Sequence, residues 1–413
     1  MSTAPQIEHP QPDPTSTGPL VGLRVLELGT LIAGPFAARL LADFGAEVIK
    51  VEPPGGEPMR EWGQVRHEGR GLWWPLQSRN KQLVTLDLRK SEGQEMCRQL
   101  AKRSHVLVEN FRPGTLENWG LGPDRLLEMN PDLIVARVSG YGQTGPYSKR
   151  AGFASAGEAM GGLRYVAGYP GQPPPRFGIS IGDSLAGLFA VQGILMALYN
   201  RLANGGRGQV VDASILESCF AMLDSTVPEY GKLHAIREPS GSRIGNATPS
   251  NIYLSEDGKY VVIAANSNNL FGRLCAAMGR PELAREASYA DHWSRWEHAD
   301  ELDRLIAEWA GQRSAAEIDR VLNDAGVVCA PVYSIADIFE DPHYQAREML
   351  VPLEDQILGQ LIMPGVVPKL SETPGRLRHA GSWEAGVDNE AVYGSLLGLA
   401  AAELQELRSR GVI

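Results

Sequence analysis

What the chain has little of narrows its possibilities first. Its 413 residues include four cysteines, Cys97, Cys219, Cys275 and Cys329, with no Cys-x-x-Cys and no Cys/His pair at zinc spacing. A disulfide framework and a metal site are set aside on that ground, and the four read as reduced core thiols of an intracellular protein. Positive charge is short: 39 Lys and Arg stand against 49 Asp and Glu, a formal net charge of −10, and aromatics make up 7% with no basic interleaving. That argues against nucleic acid and anionic membranes as partners, while leaving room for a local basic pocket. Familiar catalytic signatures are missing as well. There is no Gly-x-Gly-x-x-Gly, no Walker loop, no Gly-x-Ser-x-Gly elbow and no His-Glu-x-x-His, so dinucleotide, nucleotide, serine-hydrolase and zinc-protease chemistry lose their usual warrants. Cys219 is conceivable as a nucleophile, but no base lies near it in sequence. The first twenty residues contain five prolines and no Arg or Lys, which suits a flexible arm rather than a signal or transit peptide. The apolar run Leu185 to Leu198 carries Gln192 and falls short of the ~20 residues a membrane span needs. The expected location is cytoplasmic.

What is present is ordinary globular protein, 43% hydrophobic and 21% charged, long enough for two domains. Leu23 to Leu28 reads as a strand, Gly29 to Pro35 as a glycine-bearing turn, and Phe36 to Phe44 as a helix stopped by Gly45. Glu47 to Glu52 follows as a second strand. Strand, turn, helix, strand is a βαβ unit, which implies a parallel sheet. Gly55 to Leu76 reads as a long loop. Further strands are expected at Leu83–Leu88, His105–Val108 and Leu133–Val138, with a helix at Ser91–Lys102 capped by Ser91. Strands ending in glycine- and polar-rich loops fit a doubly wound α/β fold, whose ligands bind at the carboxyl edge of the sheet. Each loop also reads as a plain turn. From about Ser225 the composition changes. Asn251–Leu254 and Lys259–Ala264 flank Ser255-Glu-Asp-Gly258, a hairpin signal, and helical patterns follow at 270–278, 299–310 and 315–325. The expected division is a flexible arm at 1–20, a large α/β domain at 21–225, a smaller α+β domain at 230–332, and a C-terminal segment at 334–413.

One stretch stands out. Between Arg176 and Arg201 the only charged residue is Asp183. Gly178 to Gly182 reads as a short buried strand, and Leu185 to Leu198 as a helix buried on most faces. A carboxylate at such a junction is either a helix N-cap or a nucleophilic or acid/base group presented at a helix start, and the local pattern leaves both open.

Several blocks in a fixed order then carry a resemblance. They are Leu23-Arg-Val-Leu-Glu-Leu28, Ala33-Gly-Pro35, Leu41 to Glu52, Asn80-Lys81, Leu86-Asp-Leu88 and Glu109-Asn-Phe-Arg-Pro-Gly114. After these come Ser139-Gly-Tyr-Gly142, Gly182-Asp183, Gly206-Arg-Gly-Gln209 and Ala330-Pro331. From Leu20 onward the chain resembles the family III CoA-transferases, the group of formyl-CoA transferase, the carnitine CoA-transferases and α-methylacyl-CoA racemase. The resemblance implies that Asp183 is the catalytic aspartate, and that CoA contacts fall on Leu31, Ile32 and Ala33, on Leu86 and Arg89, and on Asn110, Phe111 and Arg112. It implies an interlocked homodimer whose C-terminal segment returns to the large domain, no permanently bound cofactor, and a CoA thioester as substrate. The racemase branch has a histidine where this chain has Phe153, which cannot exchange a proton. Some transferases carry basic CoA contacts where this chain has Pro53, Asn118 and Ala151, so Lys50, Arg89 and Arg112 become candidates for the nucleotide phosphates. Gly178-Ile-Ser-Ile-Gly-Asp183 and Gly245-Asn246-Ala-Thr-Pro-Ser-Asn251 look most like members that use succinyl-CoA and small dicarboxylates such as itaconate, malate, citramalate or mesaconate. Gly245 and Asn246 would then touch substrate, with oxyanion donors sought in Gly241 to Asn246. A racemase and a non-catalytic CoA-binding subunit are the alternatives.

Overall fold

The computed structural model describes residues 17–245 and 247–413. The arm expected at 1–20 therefore lies almost wholly outside the described residues, and so does Asn246. The chain forms two compact units: residues up to 163 with 176–227 and 343–413, and residues 164–175 with 228–342.

The first unit is built on β1 (Arg24–Glu27), β2 (Glu47–Glu52), a short hairpin of β3 (Arg66–His67) and β4 (Arg70–Gly71), β5 (Lys81–Thr85), β6 (Val106–Glu109), β7 (Ile134–Ser139) and β8 (Val210–Ser214). Six of these strands make one parallel sheet in the order β5-β2-β1-β6-β7-β8. Successive side chains on a strand face opposite ways, and the strand sequences are apolar in both phases. Val25, Val48, Val106, Val108, Ile134 and Ala136 enter one core, while their neighbours Leu26, Ile49, Leu107 and Val135 enter the other. A sheet buried on both faces must be covered on both faces. Helices α1 (Ala33–Asp43), α2 (Trp73–Ser78), α3 (Ser91–Lys102), α4 (Thr115–Asn118), α5 (Pro123–Met129), α6 (Ala154–Met160) and α8 (Ile181–Asn204) follow in chain order, with α9 (Ile215–Phe220) after β8; α7 (Leu163–Val166) falls in the other unit in all but its first residue. Ala37, Ala38 and Leu41 of α1 share the first core with Ala186, Ala190 and Ile194 of α8. Leu100 of α3, Leu126 of α5 and the C-terminal residues Tyr393, Leu404 and Val412 fill the second.

Local details differ from the sequence reading. The stretch expected as a loop at 55–76 contains a 3₁₀ turn, the β3–β4 hairpin and the start of α2. Leu86 and Leu88, expected within a strand, lie beyond the end of β5 but remain buried. Ser91 does not cap its helix: Lys90 occupies that position and makes no side-chain cap. Gly45 does end α1, at φ +99°, a conformation open to glycine at little cost.

The second unit carries β9 (Ser250–Leu254), β10 (Tyr260–Ala264) and β11 (Val328–Pro331) as an antiparallel sheet in the order β11-β10-β9. The β9–β10 turn falls on the Ser255–Gly258 signal, with Gly258 at φ +76°. Phe271, Leu302, Ile306, Ile318 and Leu322 from helices Asn268–Ala277, Ala299–Ala310 and Ala315–Asp324 pack onto Val261 and Ile263. Residues 164–175 and 333–342 belong to this unit.

Candidate active site

The order of the parallel sheet reverses direction between β1 and β6: the chain runs outward to β2 and β5 on one side, then to β7 and β8 on the other. The two loops leaving the carboxyl ends of β1 and β6 part at that point and leave a crevice. One side chain ties them together. Asn110, just after β6, accepts from the Thr30 amide through Oδ1 at 2.7 Å and donates Nδ2 to the Thr30 carbonyl at 2.8 Å. Beside it Leu31 is held at φ 61°, an unfavourable conformation for a branched side chain that only a firmly fastened loop sustains.

Buried charges hold these loops from below. Glu27, at the end of β1 and fully buried, faces Lys50 at 3.0 Å and Lys81 at 2.7 Å, and Glu57 pairs with Lys50 at 2.5 Å. Lys50 also donates to the Gly29 carbonyl and Lys81 to the Pro35 carbonyl, each at 2.9 Å. Two carboxylates and two ammonium groups thus balance inside the fold while fastening both ends of the β1–α1 turn. Burial is the largest influence on Lys81 and brings it down to about 8. Glu109 does the same work for the other loop. It accepts from the Phe111 amide at 2.7 Å and from Arg137 Nε at 2.7 Å, and burial, only partly offset by Arg137, pushes its carboxyl up to about 7.

Asp183 enters this crevice from α8. The expected strand at 178–182 does not form. Gly178 and Ile179 are exposed, and Ser180 is the residue from which the helix starts. Asp183 is the third helical residue, within the first turn, and the start of α8 has no side-chain cap. The capping reading is therefore replaced by a first-turn carboxylate. The Gly182 amide donates to Glu158 Oε1 at 3.3 Å and the Ser184 amide to the Ser180 carbonyl at 3.1 Å. Asp183 is pushed up to about 6, first by burial, then by the charge of Glu158, with Arg176 pulling the other way. A helix start favours a carboxylate's charge, yet here burial and Glu158 prevail.

Asp183 lines a cavity of about 610 Å³ together with Leu31, Ile32, Ala33, Asn110, Phe111 and Arg112. Six of the eight residues expected to contact CoA are thus brought beside the aspartate. Leu86 and Arg89 are not on this wall. They follow β5 on the same carboxyl edge, two strands from β1, where Leu86 is buried and Arg89 pairs with Asp87 at 2.8 Å. Lys50 is corrected outright: at 1% exposure and engaged with two carboxylates, it is no phosphate ligand. Gly245 lies in the second unit at φ +45°. Phe153 is on the cavity wall, as are Trp62, Ser139, Arg150 and Arg176, none of which the sequence marked as a site residue. Nor did it mark Glu158, which is fully buried behind Asp183 on α6. A signal for Glu158 existed, a lone carboxylate in Ala154 to Gly162 otherwise free of charge, but its nearness to Asp183 is tertiary. Cys219 is buried nearby, and burial pushes its thiol up to about 11, which suits a core thiol rather than a nucleophile.

Known proteins are similar to this chain over nearly its whole length. The sequence model of CoA-transferase family III matches residues 20–388. The chain is 50% identical to a succinyl-CoA–D-citramalate CoA-transferase of Chloroflexus aurantiacus over 96% of its length and 98% of that protein. It is 44% identical to the β subunit of a succinyl-CoA–L-malate CoA-transferase from the same organism, covering 97% and 99% respectively. A crystal structure of a CAIB/BAIF family protein from Brucella suis superposes with a TM-score of 0.81 at 30% identity, over 92% of this chain and all of that one.

Proposed function

The chain belongs to CoA-transferase family III, and from that membership we propose that it moves CoA from succinyl-CoA to a small dicarboxylate of the citramalate or malate type, with Asp183 as the covalent relay. The observation that carries the reading is a half-shielded carboxylate at the switch point of a parallel sheet, inside a cavity with three arginines. The names of the relatives support the choice of substrates.

Exchange of one thioester for another needs no net redox change and no external energy, but a hydrated carboxylate attacks a thioester poorly. A protein carboxylate in a protected cavity divides the task. Asp183 attacks the acyl carbonyl of succinyl-CoA, forming a mixed anhydride as the C–S bond breaks and CoA leaves as thiolate. The thiolate attacks the Asp183 carbonyl of the anhydride, giving an aspartyl-CoA thioester and free succinate. The acceptor carboxylate attacks this thioester to form a second anhydride and thiolate, and the thiolate takes the new acyl group, restoring Asp183. With its carboxyl at about 6, Asp183 is roughly 90% ionised at pH 7 and less solvated than a surface carboxylate. CoA enters along the loops Leu31–Ala33 and Asn110–Arg112, with Leu86 and Arg89 further along the same edge. By the family resemblance, Gly245 and Asn246 are the residues assigned to substrate contact.

The working form is a homodimer in the cytoplasm. Helix α8 supports the dimer: Leu188, Leu195, Met196, Tyr199 and Leu202 leave an apolar stripe exposed on the chain, more than a lone surface helix displays. Phe153 speaks against α-carbon racemisation, because a phenyl ring on the cavity wall can neither take nor give a proton.

Incubation with succinyl-CoA and labelled succinate tests the proposal: label should enter the thioester, and mass spectrometry should find the acylated or CoA-bearing group on the peptide holding Asp183. Asp183→Ala should fold normally and lose exchange by several orders of magnitude. Turnover retained in that variant would sink the covalent relay.

A further inference from the structure

Three guanidinium groups, Arg112, Arg150 and Arg176, line the Asp183 cavity. In a protein with a net charge of −10 this is a local concentration of positive charge around one carboxylate, and it suits an anionic ligand. The three differ in how they are held. Arg112 sits in the crevice loop after β6, beside Asn110 and Phe111. Arg150 lies over the Tyr147 ring at 3.7 Å. Arg176 begins the segment that leads through Ser180 into α8, seven residues before Asp183, and follows the stiff run Pro173-Pro174-Pro175. Among the described residues neither Arg112 nor Arg176 has a hydrogen-bonding or ion-pair partner for its side chain. Arg176 shares the cavity wall with Ser180 and Asp183 of the α8 start, and of the three arginines it is the one whose charge acts on Asp183.

We propose that Arg176 is the specificity-determining residue that pairs with the distal carboxylate of the acyl group carried by Asp183. The inference rests on the CoA-transfer reading above. In that reaction donor and acceptor acyl groups are each joined in turn to Asp183 as an anhydride, so a single cation lining the same cavity serves both. When one carboxyl of succinate is joined to Asp183, its other carboxylate lies three carbon–carbon bonds away. The same holds for a malate or citramalate joined through its C4 carboxyl. A planar guanidinium can grip that group through two parallel hydrogen bonds. A monocarboxylate offers nothing to grip and forgoes that charge-assisted pair. Arg112 and Arg150 then remain for the phosphates of CoA.

The test is selectivity. For wild type, Arg176→Gln and Arg176→Lys, kcat/KM is measured for succinyl-CoA with a dicarboxylate acceptor and for propionyl-CoA with acetate. The glutamine variant should lose roughly 10- to 100-fold on the dicarboxylate pair while the monocarboxylate pair changes by less than about threefold, and lysine should restore part of the loss. Inhibition by free succinate against succinyl-CoA gives the same answer if wild type turns over no monocarboxylate: its inhibition constant should rise in Arg176→Gln, and that for propionate should not. Arg112→Gln and Arg150→Gln should depress both pairs together. An unchanged selectivity in Arg176→Gln, or a selective loss that follows Arg112 or Arg150 instead, overturns the assignment. Absence of transfer by wild type with every acid tried would overturn the function reading itself, a distinguishable result.

Discussion

Asp183 is a carboxylate whose folded state favours its proton, raised from 3.8 to about 6. Between those values the folded chain holds more protons than the unfolded one, so this group makes stability fall as pH rises through roughly 4 to 6, and its ionised form at neutral pH carries the full cost. Asp183→Asn removes that cost. It should raise the melting temperature measured at pH 7.5, by an amount that corresponds to about 1 kcal/mol or more, while abolishing transfer. An unchanged or lowered Tm would mean that the carboxylate is better solvated than its position implies. The same raised value governs the rate. Transfer should climb with pH as Asp183 ionises near pH 6. Because the charge of Glu158 helps to hold Asp183 up, Glu158→Gln should move that acid limb to lower pH. A pH–rate profile that keeps its position in this variant would remove Glu158 from any influence on the nucleophile.

The elements explain why the crevice holds its shape. The β1–α1 turn is fastened by Lys50 to the Gly29 carbonyl and by Lys81 to the Pro35 carbonyl, and both cations depend on Glu27. Lys81→Met should cost roughly 3–5 kcal/mol in denaturant unfolding, since it leaves half of a buried charge set unanswered. A loss below about 1 kcal/mol would show that water or a shifted Lys50 replaces it. Helix α8 is the other element with two roles. Along one side Gly182, Ala186, Ala190, Ile194 and Ala197 pack inward, small enough for the helix to lie close. A Cβ on Gly187 would meet the Phe36 ring at 2.7 Å, and one on Gly193 would meet Val211 at 2.5 Å. The reading of a helix buried on most faces fails along the other side, where Leu188, Leu195, Tyr199 and Leu202 fall at spacings of seven, four and three and stay exposed. The reading of a run too short to span a membrane also changes. At 24 residues α8 is long and apolar enough to do so, yet its inner face is joined to the first core and its first turn carries Asp183.

At the scale of the whole molecule, the proposed homodimer would seat its second copy on that exposed stripe. Met196→Glu should shift the protein from dimer to monomer in light scattering, because a charge in an apolar contact cannot be paired there; an unchanged mass would place the dimer contact elsewhere. Much of this molecule is legible in one dimension. Apolar strands with no polar phase demand a sheet covered on both faces, glycine after Phe44 ends a helix, and Ser255-Glu-Asp-Gly258 turns a hairpin, all because spacing and turn chemistry act over a few residues. The ordered blocks around Asp183 likewise single it out in the sequence itself. Other features belong to distance in space. That Asp183 sits in the first turn of its helix rather than at the cap, that Glu158 stands 25 positions earlier yet close enough to raise it, and that Lys50 is buried rather than free for phosphate were decided by packing. A desolvated charge owes its properties to whatever atoms surround it, and those atoms come from segments that only the folded sheet brings together.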